Sequence, residues 1–302
     1  MPSSYKNSLD TVQIETTDHC NHKCVMCART EAPPRRPRHM TLPRFRSLIN
    51  KLASTKARTF IGHNLGEPLL TPRYMDMLEY FDRRFQGKRF IFNTNGSKLS
   101  PDFTERFLAL QHNKYQINFS IDAASNSAYR KIHNASLTPV RQKIIGFLKD
   151  FIKQNNKHIE VVLNFIVTPA NALQQNKFMA QWKPFLKQNP RIKLRFNPLA
   201  WNNNMKQKYN YDIWTRAHPD AAIFKLNKPR QKACHKPWRM LSIKANGDLG
   251  LCCYDLTTKL HLGNIFNSSL KSLLHKARYR RIKRDFLRKD FRAYPLCYFC
   301  HG

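Results

Sequence analysis

Apolar and polar positions along the chain fall into a repeated order of strand and then helix. Thr11-Val12-Gln13-Ile14-Glu15 alternates as a short strand. In residues 41–54, Leu42, Phe45, Leu48, Ile49 and Leu52 recur at helical spacing and share one face. Residues 59–62 read as a second strand, 72–85 as a helix and 89–92 as a third strand. Ser100-Pro101 supplies an N-cap and a first-turn proline for a helix through Leu110. Residues 115–121 form a fourth strand pattern, 139–152 a helical one and 159–167 a fifth strand. A helix over 172–186 and a sixth strand over 192–196 complete the series.

Strand-helix units joined by short connections predict a parallel sheet with crossover helices. Six units fit an α/β fold of the partial (β/α)6 TIM-like barrel type better than a closed eight-fold one. The pattern changes after residue 200. The expected organisation is a barrel over 1–200, a polar connector over 201–233 and a small β-hairpin plus helix module over 234–302. Asn246-Gly247 is the hairpin's turn signal.

Composition narrows the class. At 41% hydrophobic residues, the 302-residue chain has the material for a sizeable core, which excludes a disordered tail. No apolar run approaches the roughly 20 residues of a membrane span, and the polar first residues do not read as a secretory signal. A cytoplasmic protein without membrane contact is expected. The formal net charge of +34 favours anionic partners, so nucleic acid enters the candidate list together with anionic small molecules. A generally basic, solvated surface explains the same number.

The eight cysteines form two groups, 20, 24, 27 and 234, 252, 253, 297, 300, with 206 residues between them. In a reducing compartment such clusters read first as metal ligands. Cys20, Cys24 and Cys27 can hold three irons of a cubane and leave the fourth open for a small molecule. A structural zinc site completed by His19 or His22 is the competing reading. In the second group the hairpin folds Cys252 back towards Cys234, and Cys297 and Cys300 form a two-residue-spaced pair. Four such thiolates can close a whole cluster, with Cys252 and Cys253 interchangeable; zinc or a folding-only cluster competes here too.

The run Ile14-Glu15-Thr16-Thr17-Asp18-His19-Cys20-Asn21-His22-Lys23-Cys24-Val25-Met26-Cys27 resembles the signature of the radical S-adenosylmethionine superfamily. Gly66-Glu67-Pro68 resembles its glycine-glycine-glutamate-proline motif, with Leu65 at the first glycine. Thr94-Asn95-Gly96 and Ser120-Ile121-Asp122 resemble its third and fourth strand endings. In many members an arginine follows the next helix's tyrosine by four residues; here His133 follows Tyr129, with Arg130 or Arg141 as substitutes. Cys234, Gly247 and Cys252 match the spacing of the SPASM/Twitch auxiliary-cluster module, and Asp255, Leu262-Gly263-Asn264 and the helix after Ser269 fit it. The ending just past Cys300 is expected to favour the single-cluster Twitch form.

The resemblance implies two [4Fe–4S] clusters, one bound by Cys20, Cys24 and Cys27 and one auxiliary, bound by Cys234, Cys252, Cys297 and Cys300. It implies S-adenosyl-L-methionine at Met26, Gly66, Glu67, Asn95, Ser120 and Asp122. The chemistry implied is reductive cleavage to a 5′-deoxyadenosyl radical, followed by hydrogen abstraction from a substrate carbon. An oxidoreductase or maturase acting on a peptide or small anionic molecule is expected, with a flavodoxin or ferredoxin as electron donor. Radical modification of a nucleic acid and a non-enzymatic iron–sulfur protein are the alternatives. No catalytic acid or base is legible; His63, Asn64, Glu15 and Asp255 are equally well structural residues at strand ends.

Overall fold

Alternation along the strands sorts the chain into an apolar layer under helices and a polar layer inside the sheet. The computed structural model describes residues 9–27, 29, 36–198, 234–255, 258–298 and 300, so the expected connector lies outside the described residues. Six parallel strands follow one another: β1 (Thr11–Ile14), β2 (Thr59–Ile61), β3 (Arg89–Thr94), β4 (Lys114–Ser120), β5 (Ile159–Val167) and β6 (Ile192–Pro198). The crossovers carry α1 (Leu42–Leu52), α2 (Tyr74–Arg84), α3 (Pro101–Leu108), α4 (Asn126–His133), α5 (Leu137–Gln154) and α6 (Gln175–Gln188). This is the expected open (β/α)6 order.

Phe60, Phe90, Phe92, Tyr115 and Phe119 point at the helices and are at most 1% exposed. Their rings meet Phe81 of α2, Phe107 of α3 and Phe147 of α5 at centroid separations such as 4.9 Å for Phe60–Phe81 and 5.3 Å for Phe119–Phe147. The alternate positions carry amides and charges. Asn118 donates to Asn93 Oδ1 (2.7 Å), Gln116 to Asn118 Oδ1 (2.6 Å) and Arg89 to Gln116 Oε1 (2.5 Å). Such a polar inner face differs from the branched apolar packing of a closed barrel and leaves hydrogen-bonding groups around the interior.

The helix expected over 139–152 is α5, and the separate helix α4 precedes it. Ser125 caps α4 by accepting from the Ala128 amide (3.3 Å), and left-handed Asn134 ends it. Pro139 falls in the first turn of α5, where its missing N–H costs nothing.

The second module joins the same sheet. After α7 (Lys236–Arg239), β7 (Met240–Ile243) pairs in parallel with β1, in the register Gln13↔Ser242 and Ile14↔Ile243. β8 (Asp248–Gly250) and β9 (Gly263–Asn264) continue it as antiparallel strands. The hairpin was legible in the sequence, but its attachment to the β1 edge was not. Side chains lock the seam: Ser242 donates to Gln13 Oε1 (2.8 Å), Arg239 pairs with Asp10 (2.6 Å), and Lys51 of α1 donates to the Ile265 carbonyl (2.6 Å). Helices α8 (Leu270–Leu274), α9 (Ala277–Leu287) and α10 (Pro295–Tyr298) complete the module. No helix among the described residues is long and apolar enough to cross a membrane.

Phe60 packs between β2 and α2 with 0% exposure. Truncation to alanine removes its contacts with Phe81 and Phe85, so Phe60→Ala is expected to lower unfolding free energy by about 3–5 kcal/mol in a denaturant titration.

Candidate active site

β1 delivers the chain to the carboxyl-terminal rim of the sheet, where Cys20, Cys24 and Cys27 follow in one loop, all partly exposed. Lys23 and Val25 donate their amides to the carbonyls of His133 (3.2 Å) and Ile132 (2.8 Å). Those carbonyls end α4 and have no partner within the helix, so loop and helix end satisfy one another.

The β2 rim packs directly on this loop. The Glu67 amide donates to the His19 carbonyl (2.7 Å). A Cβ at Gly66 would lie 2.0 Å from the Thr17 carbonyl oxygen, so only glycine permits the approach. Leu65 donates its amide to Glu15 Oε1 (3.0 Å), which holds the turn at the position where the resemblance has glycine. Glu67 is 3% exposed. Its Oε1 accepts from the Thr94 hydroxyl (2.6 Å) and the Leu69 amide (3.0 Å), and Oε2 accepts from the Asn95 amide (2.7 Å). Burial outweighs these donors and pushes its carboxyl up to about 7. Asn95 donates to Asn21 Oδ1 (3.0 Å), with the same nitrogen 4.0 Å from Cys20 Sγ.

Cys20, Gly66, Glu67 and Asn95 therefore meet around one loop. Met26 lies half-buried in that loop, and Ser120 is half-buried at the end of β4, level with Asn164 of β5. Asp122 is 0% exposed and turned inward: Oδ1 accepts from the Ile166 amide (2.6 Å), and Oδ2 lies 3.2 Å from His133 Nε2. Arg130 is exposed in a surface hollow with Asn126, Ser127 and Lys131, away from this loop. His133, four residues after Tyr129, instead places Nδ1 3.0 Å from Cys24 Sγ.

The other expected polar residues are structural. His63 accepts the Asn93 amide at Nδ1 (3.1 Å) and its carbonyl accepts from Gln13 (2.9 Å); desolvation holds its imidazole down to about 4, hence neutral. Asp255, 0% exposed, accepts from the amides of Lys259 (2.7 Å), Leu260 (3.1 Å) and Leu251 (3.4 Å), closing the loop that carries Cys252 and Cys253.

In the second group Cys234, Cys252 and Cys297 are buried, and Cys253 and Cys300 partly so. Burial, together with the nearby Cys252, Cys234 and Cys300 sulfurs, pushes the Cys297 thiol up to about 12. Cys253 is set differently. A hydrogen bond from Cys252 holds its thiol down, and Lys236 Nζ lies 4.0 Å from its sulfur. Cys252 thus lies buried near Cys297, while the partly exposed Cys253 lies beside Lys236 and near Cys300. In the first group burial raises Cys20 to about 11 and Cys24 beyond that. Unliganded, these thiols keep their protons at neutral pH, and a metal must displace them.

One residue was not legible as part of a site. Lys244 follows β7, beside Glu15, on the face shared by Ser242 and Gln13. It is 6% exposed, and its ammonium has no hydrogen-bond partner. Burial lowers its pKa, against the opposing charges of Glu15, Asp255, Cys252 and Cys253. Lys244 is thus a buried amine beside Glu15, just past the carboxyl ends of β1 and β7. The only hint in sequence was the two-residue alternation Ser242, Lys244.

A family model for the radical SAM superfamily matches residues 14–169, just over half of the chain. The chain belongs to the radical S-adenosylmethionine superfamily. A model for the SPASM iron–sulfur cluster-binding domain matches residues 234–301. Several solved structures share the fold. SuiB of Streptococcus suis bound to S-adenosylmethionine is 14% identical, with a TM-score of 0.66 over 98% of this chain and 73% of that one. BtrN in complex with AdoMet and 2-DOIA is 15% identical, with a TM-score of 0.59 over 97% and 93%. anSMEcpe with bound AdoMet and Kp18Cys peptide is 15% identical, with a TM-score of 0.59 over 91% and 83%. No curated protein matches the sequence. Membership in this superfamily, with the SPASM domain, brings S-adenosylmethionine and [4Fe–4S] clusters as cofactors. The donor sets fit them: three thiols at one rim without a fourth cysteine, and a separate, mostly buried thiol group.

Glu67 gives a pH signature in the cluster-free protein. Its pKa is raised on folding from the usual 4.5 to about 7. The stability it contributes is complete below about 4.5 and is lost as pH rises through about 7. Glu67→Gln is expected to remove this downward slope between those values when unfolding free energy is measured against pH.

Proposed function

We propose that this radical SAM enzyme binds its reducing cluster through Cys20, Cys24 and Cys27, and an auxiliary cluster through Cys234, Cys252, Cys297 and Cys300. It abstracts hydrogen from a carbon of a peptide or small anionic molecule and releases an oxidised or otherwise modified product. The observation that carries this reading is the three-cysteine loop held against Gly66, Glu67 and Asn95 on one strand rim. When bound there, the cluster and S-adenosylmethionine supply one-electron carbon–sulfur cleavage and a 5′-deoxyadenosyl radical.

The chain's own part is binding, orientation and exclusion of water. The Glu67 carboxylate, already fixed by three donors, keeps acceptor capacity at Oε2 for the cofactor's ammonium group. Gly66 keeps the two backbones in contact, so the cofactor rests on a rigid floor. Met26, Asn95, Ser120 and Asp122 complete the cofactor's surroundings. In this reading Asp122 acts from behind the loop, because its Oδ1 is held by the Ile166 amide and its Oδ2 lies 3.2 Å from the His133 ring. The polar inner face and the buried Lys244 ammonium favour a substrate with an anionic group, held between the two thiol sites.

Five gathered thiols with one buried trio support the single-cluster, Twitch-type form of the module, with Cys253 outside the ligand set. A flavodoxin or ferredoxin, both acidic, suits the +34 chain as electron donor. A nucleic acid is the second reading, favoured by the same charge; it requires binding that weakens steeply with added salt.

The test is anaerobic reconstitution followed by dithionite and S-adenosylmethionine, with 5′-deoxyadenosine quantified by chromatography. The wild-type chain is expected to release the nucleoside and Cys24→Ala to release none. Full activity in Cys24→Ala removes the reading.

A further inference from the structure

Each of five consecutive strands begins beside a cation. Arg58 precedes β2, Lys88 and Arg89 open β3, Lys114 opens β4, Lys157 leads into β5 and Arg191 precedes β6. In sequence these positions run from residue 58 to residue 191. The strands are parallel, so the cations meet at the amino-terminal end of the sheet, opposite the first cysteine loop. There all six line one open hollow of about 410 Å³.

The backbone ladder holds these charges side by side. Arg89 donates its amide to the Arg58 carbonyl (2.9 Å) and Lys114 to the Lys88 carbonyl (2.8 Å), and Arg89 and Lys114 are register partners across β3 and β4. The Arg191 guanidinium donates to the Lys157 carbonyl (2.7 Å). Glu160 is the one carboxylate lining the hollow; it lies 3.6 Å from Arg89 and is shared with Lys193 at 3.0 Å. Among the described residues no carboxylate pairs with Arg58, Lys88, Lys114 or Lys157. His158 also lines the hollow, and its buried Nδ1 has no hydrogen-bond partner.

Like charges on neighbouring strands repel. The whole chain carries 53 Lys and Arg against 19 Asp and Glu, and the hollow six against one, so the basic excess is concentrated here. The amino-terminal face of a barrel of this type ordinarily serves stability, and gathered cations work against it. A ligand that neutralises them removes that conflict.

We infer that this hollow binds a compact polyphosphate, whose adjoining phosphate groups meet cations from neighbouring strands. Strands lie about 4.8 Å apart, so the cations follow one another at a step that linked phosphates can span. An isolated carboxylate reaches only part of the set. Arg58, Arg89 and Arg191 offer guanidinium forks for paired phosphate oxygens, and Lys88, Lys114 and Lys157 add point charges. A hollow of this size favours a short polyanion over an extended strand of nucleic acid. It lies at the other end of the strands from the first cysteine loop, so its ligand is separate from the cluster and from S-adenosylmethionine.

The test titrates the anaerobically reconstituted chain with sodium tripolyphosphate by calorimetry, in buffer free of divalent cations at about 0.15 M salt. Sodium citrate and a short single-stranded RNA are titrated in parallel. Two triple variants lose the same charge. One combines Arg58→Gln, Lys88→Gln and Lys114→Gln in the hollow; the other combines Arg280→Gln, Arg284→Gln and Arg288→Gln, all exposed on α9. One tripolyphosphate is expected to bind per wild-type chain, more tightly than citrate. The hollow variant is expected to lose at least about tenfold in affinity and the α9 variant less than about twofold. Lys114→Gln alone is expected to lose about threefold, and it decides the matter if the triple variant does not fold.

An equal loss in both triple variants overturns the inference, since it reports net charge alone. Citrate binding as tightly as tripolyphosphate overturns the phosphate chemistry. RNA binding that is tighter, and is lost in the hollow variant, overturns the compact ligand in favour of a nucleic-acid backbone. No binding in the wild type, or unchanged affinity in a folded Lys114→Gln chain, overturns the site itself.

Discussion

The parallel pairing of β7 with β1 is the constraint on which the rest of the structure depends. β1 runs into the loop of Cys20, Cys24 and Cys27, and β7 runs into the hairpin that carries Cys252 and Cys253. Because the two strands are parallel and in register, the first cysteine loop leaves β1 beside the β7–β8 turn, and antiparallel β8 carries Cys252 and Cys253 back towards Lys236 at the start of β7. A ladder of backbone hydrogen bonds is indifferent to side-chain identity, so it fixes this geometry across 206 residues of separation. Gln13–Ser242 and Asp10–Arg239 then prevent slippage. A slip of β7 by one residue would turn Lys244 to the apolar side and Ile243 to the polar one.

That alternation also explains how a small barrel offers a site. Apolar side chains at alternate strand positions, many of them phenylalanine, satisfy the helices, which frees the opposite face for Gln13, Asn93, Gln116 and Asn118. These groups bond mainly to one another and to the rim backbone, so the wall is preorganised before anything binds. The buried groups left without a hydrogen-bond partner include Lys244 Nζ and Asn164 Oδ1. An unpaired buried polar atom is costly, and its place on a rim of this kind points to a ligand that supplies the missing partner.

Sequence patterning carried the strand-helix order and both cysteine groups, because period and spacing are local properties. It also found Gly66-Glu67 and Asn95, since these lie at the strand ends that the pattern located. Contacts between segments distant in the chain were not legible. β7 as a neighbour of β1 depends on a pairing that no local pattern encodes. The α4 helix was hidden because its short apolar face, Ala128, Tyr129 and Ile132, lies close to the longer pattern of α5. His133 stood out in sequence only as a mismatch, and only its distance from Cys24 shows what it touches. Asp255, by contrast, looked like a site residue and proves to close a loop.

The central claim is that one continuous sheet carries two separate clusters, and metal analysis tests it most directly. Iron and sulfide would be counted in the reconstituted wild type, in a chain with Cys20, Cys24 and Cys27 all changed to alanine, and in one with Cys234 and Cys252 changed. About eight irons in the wild type and about four in each variant is the predicted result. Zinc in place of iron, or loss of all iron when either group alone is removed, would contradict it.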